Sequence, residues 1–455
     1  MATSIEELRA QVHGQVVTSN DEGYDEARTV YNAMIDRRPQ AIVRCIDTDD
    51  VVAAVNFARD NGIALAIRGG GHSVPGFGTV DDGIVADLSG MRRVDVDAGA
   101  QTARAQGGAT WGNFNDATNA SGLATTGGII STTGVAGLTL GGGIGYLTRG
   151  CGLSLDSLIS AEVVTADGMV VTASAREHED LFWALRGGGG NFGVCTSLEF
   201  RLFSVADIYG GPMFFELDAA GDVLRWYRDF IADAPEQFGG FPAFQIAPPL
   251  PFIPEERHGD TFLAFVSCWT GPMDEAENNL KSLRDVAPVV AEHVGAMPYP
   301  ALNSAFDALV PPGLQHYWKA NFVKELTDDA IAAHLEHGSK VPVVNSTVHI
   351  YPINGAAHRV GSDETAFAYR DASFATVIAG MWTDPSDNDA NTAWVRDYYA
   401  ATAPLSEEGG YINFMAGDDQ ERIKANYKGN YDRLVGVKRT YDPGNLFHVN
   451  QNIKP

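Results

Sequence analysis

The feature that most constrains the fold is a run of three glycines that directly follows an apolar segment and directly precedes a histidine. The segment Ile63–Ile67 predicts a strand, and Arg68–Ser73 reads Arg-Gly-Gly-Gly-His-Ser. Glycines tolerate positive φ and allow several backbone N–H groups to converge on an anion. We therefore predict a backbone nest for phosphates here, with His72 at its edge. On these six residues alone, a simple glycine turn beside a surface histidine is the alternative.

Length and charge set the class of protein. A chain of 455 residues exceeds what one hydrophobic core usually spans, so two or more domains are expected. The formal charge of −26 argues against nucleic acid or an anionic membrane as partner, because both would repel the chain. No apolar run approaches the roughly 20 residues needed to cross a bilayer. The start, Met1–Leu8, is acidic and amphipathic, unlike a signal peptide, so we expect a cytoplasmic location.

The cysteines and histidines show no metal-binding pattern. Four cysteines are scattered without CxxC spacing: Cys45, Cys151, Cys195 and Cys268. We predict reduced thiols in or near the core. Several histidines stand far from one another: His13, His178, His258 and His293. We therefore predict no metal site.

The first 205 residues predict short strands and helices in mixed order. Predicted strands are Ala41–Cys45, Ile63–Ile67, Gly83–Leu88, Arg93–Val96, Thr102–Gln106, Leu158–Thr165, Met169–Ala173 and Val194–Phe203; predicted helices are Asp49–Asn61, capped by Thr48, Trp111–Ala120 and Glu179–Leu185. The segment Thr125–Gly145 is too rich in glycine for a regular helix and too long for one turn. Close approach of its backbone to a ligand is the natural explanation.

The composition changes after about residue 206, where glycine runs stop and aromatic residues and prolines become more frequent. Predicted strands are Thr261–Trp269, Gln315–Val323, Ser346–Ile353 and Ser373–Trp382; predicted helices are Asp274–Arg284, Asp328–His337 and Thr392–Ala401. This order indicates an antiparallel sheet covered on one face by helices.

One dinucleotide-binding motif is a false match. Gly188–Gly193 satisfies the pattern GxGxxG. The nucleotide-binding version lies at a turn from strand to helix. Here a predicted helix precedes the motif and a predicted strand follows it, so we reject NAD binding.

Five blocks of residues occur together in one order along the chain. They are Arg68–Ser73, Gly134–Leu147, Leu155–Leu158, Leu181–Val194 and Tyr441–Phe447 with the following Asn450–Ile453. With these blocks the chain resembles the berberine-bridge-enzyme-like flavoprotein oxidases of the vanillyl-alcohol-oxidase superfamily, and within them the bacterial members of the 6-hydroxy-D-nicotine oxidase type. The resemblance extends over nearly the whole chain.

The resemblance implies an α+β flavoprotein of two domains. Residues 38–205 would form the FAD-binding α+β domain. Residues 206–408 would form a substrate domain with a large antiparallel sheet covered by helices. Residues 409–455 would return to the FAD domain. The flavin ring would lie where the two domains meet, as ligands often do.

The resemblance also implies which residues hold FAD and how. The expected contacts are Arg68, Gly69, Gly70, Gly71, His72, Ser73, Gly127, Thr132, Thr133, Gly134, Gly137, Gly141, Gly142, Gly145, Asp156, Val164, Asn450 and Asn452. His72 would bond covalently to the 8α-methyl group of the flavin. Many relatives add a second bond through a cysteine, but Ile130 stands at that position here. Cys151 lies after the glycine block, so we expect a single bond through His72, with a double bond through His72 and Cys151 as the alternative.

The implied reaction is a two-electron oxidation of a small alcohol, sugar or amine. Hydride would leave a C–H next to oxygen or nitrogen for the flavin, a base would take a proton, and dioxygen would be the acceptor that yields hydrogen peroxide. Many relatives end a Tyr-x-Asn-Tyr motif with a catalytic tyrosine, but Phe414 stands there. The remaining candidates for proton transfer are Tyr411, Asn413, Tyr317, Lys319, His349 and Tyr351, the last four because alternate positions of a strand share a face. Water is a further candidate, and an amine that arrives unprotonated would need no strong base.

Three functions stay open on the sequence. The first is an FAD-dependent oxidase. The second is a dehydrogenase with another electron acceptor, since Thr133 neither requires nor excludes oxygen. The third is a non-catalytic flavin-binding protein, suggested by the missing phenol at Phe414. The identity of the substrate and the oligomeric state are not indicated.

Overall fold

The computed structural model describes residues 4–455, except for the side chain of Gln420. The first three residues of the Met1–Leu8 pattern therefore lie outside the described residues. The helices are α1 Ile5–Gln11, α2 Tyr24–Arg28, α3 Thr48–Asn61, α4 Trp111–Asn119, α5 Val135–Gly141, α6 Thr148–Cys151, α7 Glu179–Leu185, α8 Ala220–Asp233, α9 Ala276–Arg284, α10 Tyr299–Ser304, α11 Asp328–Gly338, α12 Asn388–Thr402, α13 Ile423–Tyr427 and α14 Tyr431–Tyr441.

Within the described part of the chain, residues 4–201 contribute ten strands, of which nine form two sheets and one, Leu123–Ala124, belongs to a short ribbon described below. The strands are β1 Gln15–Val17, β2 Ala41–Arg44, β3 Leu65–Arg68, β4 Ile84–Asp87, β5 Val94–Asp97, β6 Thr102–Gln106, β7 Leu123–Ala124, β8 Leu158–Val164, β9 Val170–Ser174 and β10 Val194–Arg201. The first sheet has the order β1-β2-β4-β3, with β2, β4 and β3 parallel. The second is antiparallel with the order β5-β6-β10-β8-β9.

The remaining strands form one large antiparallel sheet and a short ribbon. They are β11 Phe203–Ser204, β12 Asp207–Phe215, β13 Phe238–Ile246, β14 Thr261–Trp269, β15 Val289–Glu292, β16 Gly295–Pro298, β17 Gln315–Val323, β18 Thr347–Pro352 and β19 Phe374–Trp382. The large sheet has the order β15-β12-β14-β13-β18-β19-β17, with β16 also pairing with β12. The ribbon pairs β11 with β7.

Helices cover one face of the large sheet. Apolar side chains of α8, α9, α11 and α12 pack against residues of β12, β14 and β19 in one buried cluster. A second cluster lies on the other face of the sheet and includes Phe241, Tyr351 and Tyr411. The predicted α+β class with a large, helix-covered antiparallel sheet is confirmed. The second face of this sheet is turned toward the glycine-rich segments around Gly70 and Gly134, which positions the site described below.

Several element boundaries agree with the sequence prediction and several do not. Strands β6, β14 and β17 and helix α7 have the predicted bounds. The prediction that no regular helix occurs in Thr125–Gly145 is wrong, because α5 occupies Val135–Gly141. Tertiary packing stabilises this short helix despite its glycines, since Val135, Ala136 and Leu140 are buried. Helix α3 is capped by Asp47 rather than Thr48.

Strand β12 was missed because its sequence contains Gly210, Gly211 and Pro212, which are turn signals. The structure explains how the strand tolerates them. Along one edge of β12, residues 207–210 pair with β16 and residues 213–215 pair with β15. Pro212 lies where the partner changes, so the missing N–H of proline interrupts no ladder on that side.

Within residues 4–455, none of the helices combines the length and the apolar character that a bilayer-crossing segment requires.

Candidate functional site

A cavity of about 360 Å³ lies between the glycine segments and the second face of the large sheet. One wall is the loop Arg68–Ser73, which follows β3, and the opposite wall includes Trp318 from β17 and His349 from β18. Predicted site residues that line the cavity are Arg68, Gly69, Gly70, Gly71, His72, Ser73, Thr133, Gly134, Gly137, His349, Tyr351, Asn413 and Asn450. Residues far apart in sequence therefore meet in one place.

The glycine loop is held against the segment that precedes α5. A Cβ atom on Gly70 would lie 2.4 Å from the backbone nitrogen of Gly134, and one on Gly134 would lie 2.6 Å from that of Gly70. Two glycines are therefore required for these backbones to approach so closely. Gly71 follows with φ +73, which favours glycine. The local geometry thus explains the predicted nest.

Arg68 contributes little free charge to this wall. Its guanidinium donates to the Asp87 carboxylate at 2.8 Å and to the Thr29 carbonyl at 3.1 Å. Both charged side chains are buried, so the pair neutralises itself at the end of β3. An anion in the cavity would meet mainly backbone N–H groups and polar side chains.

His72 lies between two side chains from distant parts of the chain. Its Nε2 is 3.0 Å from the Thr132 hydroxyl, and its ring stacks on Tyr31 with the centroids 3.7 Å apart. Burial, with a smaller contribution from His316, lowers the pKa of His72 to about 3. The imidazole is therefore neutral at pH 7. Sequence reasoning missed Tyr31, which lies outside every motif.

The sheet side of the cavity is rich in aromatic rings. The rings of His349 and Tyr351 each lie within 5 Å of Phe241, centroid to centroid, at 4.9 and 4.5 Å. Nδ1 of His349 and the Tyr351 hydroxyl are 2.6 Å apart. Burial lowers the pKa of His349 to about 3 and raises the pKa of Tyr351. A neutral imidazole and a neutral phenol thus share a short hydrogen bond inside an apolar wall.

Tyr411 lies behind the cavity wall. Its hydroxyl accepts hydrogen bonds from the backbone N–H of Gly143 at 2.7 Å and from the side chain of Asn413 at 2.8 Å. Burial raises the pKa of Tyr411 to about 12. Asn413 lines the cavity and also donates to the Leu138 carbonyl. Tyr411 therefore braces the α5 region instead of facing the cavity.

Tyr317 and Lys319 do not line the cavity, contrary to the expectation that they share its wall with His349 and Tyr351. Successive side chains of a strand point to opposite faces, and in β17 it is Trp318 that faces the cavity. The Tyr317 hydroxyl donates to Asp418 at 2.7 Å, and Lys319 forms ion pairs with Asp418 and Asp419. Both residues join the sheet to the carboxy-terminal segment.

The other predicted FAD contacts lie outside the cavity lining: Gly127, Thr132, Gly141, Gly142, Gly145, Asp156, Val164 and Asn452. Asp156 forms a buried bidentate pair with Arg370, with distances of 2.7 and 2.8 Å. Val164 is buried in β8 beside Val194 of β10. A Cβ atom on Gly145 would lie 1.7 Å from the Gly127 carbonyl oxygen. Contacts within the protein therefore explain why Asp156, Val164 and Gly145 stand at these positions.

The cysteines are distinct from the cavity. Cys151 packs in the core, and burial raises its pKa to about 12. Cys45, Cys195 and Cys268 are buried and free, as predicted. Ile130, at the position where many relatives have the second cysteine, lines the cavity.

One histidine has acidic neighbours that the sequence did not reveal. Nδ1 of His13 is 2.6 Å from the Asp47 carboxylate. Asp50 lies beside them and accepts backbone N–H groups of His13, Gly14 and Ile46. The Asp50 oxygens are thus used in joining the start of α3 to the amino-terminal segment.

Comparison with known proteins decides the family. Residues 39–174 match a family model described as FAD binding domain, and residues 410–454 match one described as berberine and berberine like. An uncharacterized FAD-linked oxidoreductase of Bacillus subtilis is 32% identical over 459 residues, which cover 98% of each chain. This chain belongs to the berberine-bridge-enzyme-like FAD-linked oxidoreductases.

Solved structures of the family have the same fold. A crystal structure of 6-hydroxy-D-nicotine oxidase from Arthrobacter nicotinovorans matches with a TM-score of 0.86 and 26% identity, covering 100% of both chains. Glucooligosaccharide oxidase from Acremonium strictum, described with a 6-S-cysteinyl, 8α-N1-histidyl FAD, matches with a TM-score of 0.86 and 25% identity, covering 100% of this chain and 99% of the other. The berberine-bridge-enzyme-like chain is thus an FAD-dependent oxidoreductase.

The residues of the cavity fit FAD. The loop Arg68–Ser73 offers backbone donors for phosphate oxygens. The side-chain amide of Asn450 lines the cavity, and its Oδ1 is buried without a hydrogen-bond partner among the described residues. A buried polar atom without a partner is costly, and a ligand donor would satisfy it.

Proposed function

We propose that this chain is an FAD-dependent oxidase that carries its flavin on His72 and oxidises a small, uncharged alcohol or amine. The observation that carries the proposal is the position of His72. Its imidazole lies in one cavity with the glycine loop on one side and the aromatic wall of the large sheet on the other. A flavin bonded there would have its nucleotide near the glycines and its ring near the substrate wall.

A single covalent bond is the form that the side chains support. The neutral imidazole of His72, with its pKa lowered to about 3, is a nucleophile at neutral pH. Ile130 lines the cavity but has no thiol, and Cys151 does not line it. The Cys151 thiol is also protonated at pH 7, because burial raises its pKa to about 12, and the thiolate is the reactive form.

We expect the substitution Cys151→Ser to leave the covalent flavin in place, because this thiol lies outside the cavity. The measurement is the flavin absorbance that remains with acid-precipitated protein. Cys195→Ser, another buried cysteine outside the cavity lining, controls for the effect of a hydroxyl in the core. A flavin absorption spectrum that changes in Cys151→Ser, with Cys195→Ser unaffected, would show that Cys151 forms a second bond to the cofactor.

The substrate class follows from the cavity wall. Among the described residues, no Asp, Glu or Lys side chain lines the cavity, and Arg68 is paired with Asp87. Burying an unpaired charge is costly, so an uncharged substrate fits. The rings of Phe241, Trp318 and Phe414 favour an apolar ring in that substrate. An amine would enter in its unprotonated form.

When bound, FAD would supply the two-electron oxidation chemistry, with dioxygen as the final electron acceptor. The chain's own part is to orient that carbon and to receive the O–H or N–H proton. The Tyr351 and His349 pair supports this role, since the two polar groups lie 2.6 Å apart on the cavity wall and the phenol oxygen is placed to accept a hydrogen bond from the substrate O–H or N–H. Asn413 positions this wall, since its amide donates to both the Tyr411 hydroxyl and the Leu138 carbonyl.

We expect Tyr351→Phe to reduce the rate of anaerobic flavin reduction by about 100-fold, because general acid–base groups contribute roughly 10²–10⁴-fold. Tyr411→Phe is the matched tyrosine control and should reduce that rate far less, since Tyr411 does not line the cavity. Stopped-flow absorbance across pH measures both. If Tyr411→Phe slows reduction more than Tyr351→Phe, the proton acceptor is assigned to the wrong residue.

A substrate screen tests the proposal as a whole. Uncharged aromatic alcohols and amines, 6-hydroxynicotine and glucooligosaccharides would each be mixed with the holoenzyme without oxygen. Bleaching of the flavin by ring-bearing alcohols or amines, followed by peroxide formation on adding air, supports it. Bleaching without peroxide would point to a dehydrogenase, and bleaching by the sugars alone would contradict the substrate class.

A further inference from the structure

A chain of hydrogen bonds leads away from His72 and ends on a backbone carbonyl. Nε2 of His72 lies 3.0 Å from the Thr132 hydroxyl, and this hydroxyl lies 3.4 Å from the Tyr31 hydroxyl. The Tyr31 hydroxyl in turn donates to the Val310 carbonyl. The four groups come from four separate segments, so the chain of contacts exists only in the folded protein.

The carbonyl at the end fixes the direction of the bond from Tyr31 and favours one direction for the other two bonds in the chain. A carbonyl oxygen can only accept, so Tyr31 must donate its one hydroxyl proton to Val310. The orientation consistent with this anchor has the Thr132 hydroxyl donate to the Tyr31 oxygen, 3.4 Å away. The Thr132 oxygen is left to accept from His72, which places the imidazole proton on Nε2.

Two further contacts support this orientation. The Tyr31 ring stacks on the imidazole at 3.7 Å, and its backbone N–H donates to the Gly71 carbonyl at 3.1 Å. The plane of the ring and the side on which its proton lies are therefore both held.

We propose that Thr132 is a positioning residue that keeps the proton of His72 on Nε2 and leaves Nδ1 as the nitrogen that bonds to the flavin. The inference rests on the proposed covalent link and names how this chain prepares it. Within residues 4–455, Nδ1 of His72 has no hydrogen-bond partner, so its lone pair is free. The other ring nitrogen of a functional histidine is commonly held in this way.

The new bond joins Nδ1 to the methyl carbon at position 8 of the flavin. That carbon loses one hydrogen as a proton, and the imidazole loses its Nε2 proton. The two electrons released reduce the flavin ring, and dioxygen takes them up with the two protons as hydrogen peroxide. While the bond forms, the imidazole becomes positively charged, and the Thr132 oxygen stabilises it through a charge-assisted hydrogen bond.

The test compares Thr132→Val, which removes the hydroxyl, with Thr132→Ser, which keeps it. Full-length protein from riboflavin-limited cells is incubated with FAD, and covalent flavin is followed by fluorescence of the denatured protein on a gel. We expect incorporation in Thr132→Val to be slower by about 10- to 100-fold, the usual effect of losing a group that orients a histidine, and Thr132→Ser to remain near the wild-type rate. Equal affinity for non-covalent FAD shows that the fold is intact.

Each outcome has a distinct meaning. Incorporation in Thr132→Val at the wild-type rate, or in Thr132→Ser as slowly as in Thr132→Val, would overturn the role of the hydroxyl. Tyr31→Phe keeps the stacked ring but removes the carbonyl-anchored hydroxyl, and a wild-type rate there would overturn the orientation from Val310. A wild-type protein that never acquires covalent flavin would instead contradict the proposed function.

Discussion

Replacing His72 by alanine is expected to abolish covalent attachment of the flavin. The variant should still bind FAD, because the glycine loop and Asn450 contribute to the cavity independently of this imidazole. Flavin retained by acid-precipitated protein should therefore fall from nearly one equivalent to none, and released FAD should rise to match. Turnover should also slow, since the bond removes electron density from the ring and makes it a stronger oxidant.

A matched histidine far from the cavity controls for this result. His337 lies on α11, in the helical layer on the other face of the large sheet, where it stacks on Tyr398. His337→Ala should keep the covalent flavin. Unchanged covalent incorporation in His72→Ala would overturn the assignment of the linkage, whatever the effect on turnover.

Replacing Lys438 by methionine is expected to lower the free energy of unfolding by about 3–5 kcal/mol, the usual cost of leaving one charge of a buried pair without its partner. The Lys438 ammonium donates to the Asp442 carboxylate at 2.7 Å and to the carbonyls of Asn191 and Phe447 at 2.7 and 2.8 Å. Both charged side chains are 0% exposed. The substitution therefore strands the carboxylate and two carbonyls in the core.

The chain offers a control with the same spacing on a helix surface. Lys281 and Asp285 are also four residues apart, on and just after α9, but are 68% and 62% exposed. Exposed pairs contribute roughly 0–1 kcal/mol, so Lys281→Met should change stability little. Urea unfolding of the holoenzyme measures both variants. A loss below about 1 kcal/mol for Lys438→Met would show that water reaches the buried pair.

The Lys438 pair also bears on the site. It joins α14 to the backbone carbonyls of Asn191 and Phe447. The segment after Phe447 carries Asn450 and Gln451 into the cavity wall. We therefore expect Lys438→Met to weaken non-covalent FAD binding along with stability, whereas Lys281→Met should leave that binding unchanged.

Elements with strong local signals were predictable from the sequence. Strand β14 carries a long apolar and aromatic run, and strand β17 is rich in aromatic residues. Helix α7 begins with Glu179 and Asp180 and buries every residue from Leu181 to Leu185. Local patterning decides such elements. Strand β12 and helix α5 were not predictable, because Gly210, Gly211 and Pro212 in the one and the glycines of the other argue locally against regular structure. The pairing of β12 and the buried contacts of α5 outweigh those propensities.

The same division holds for the site. The loop Arg68–Ser73 is one contiguous segment, so a nest with a histidine at its edge could be predicted from the order of residues alone. The side of strand β17 that faces the cavity could not be predicted from the sequence. Alternation places Trp318 and Lys319 on opposite faces of the sheet but does not say which face meets the cavity. Only the packing of the large sheet decides that.

The order of residues by itself determined the family, the glycine nest and the identity of the histidine at its edge, since each depends on neighbours along the chain. Only the tertiary structure brings the neighbours of that histidine together. The imidazole, Thr132, Tyr31 and Val310 are separated by up to 279 residues, and a hydrogen-bond direction exists only when donor and acceptor are brought within about 3.5 Å.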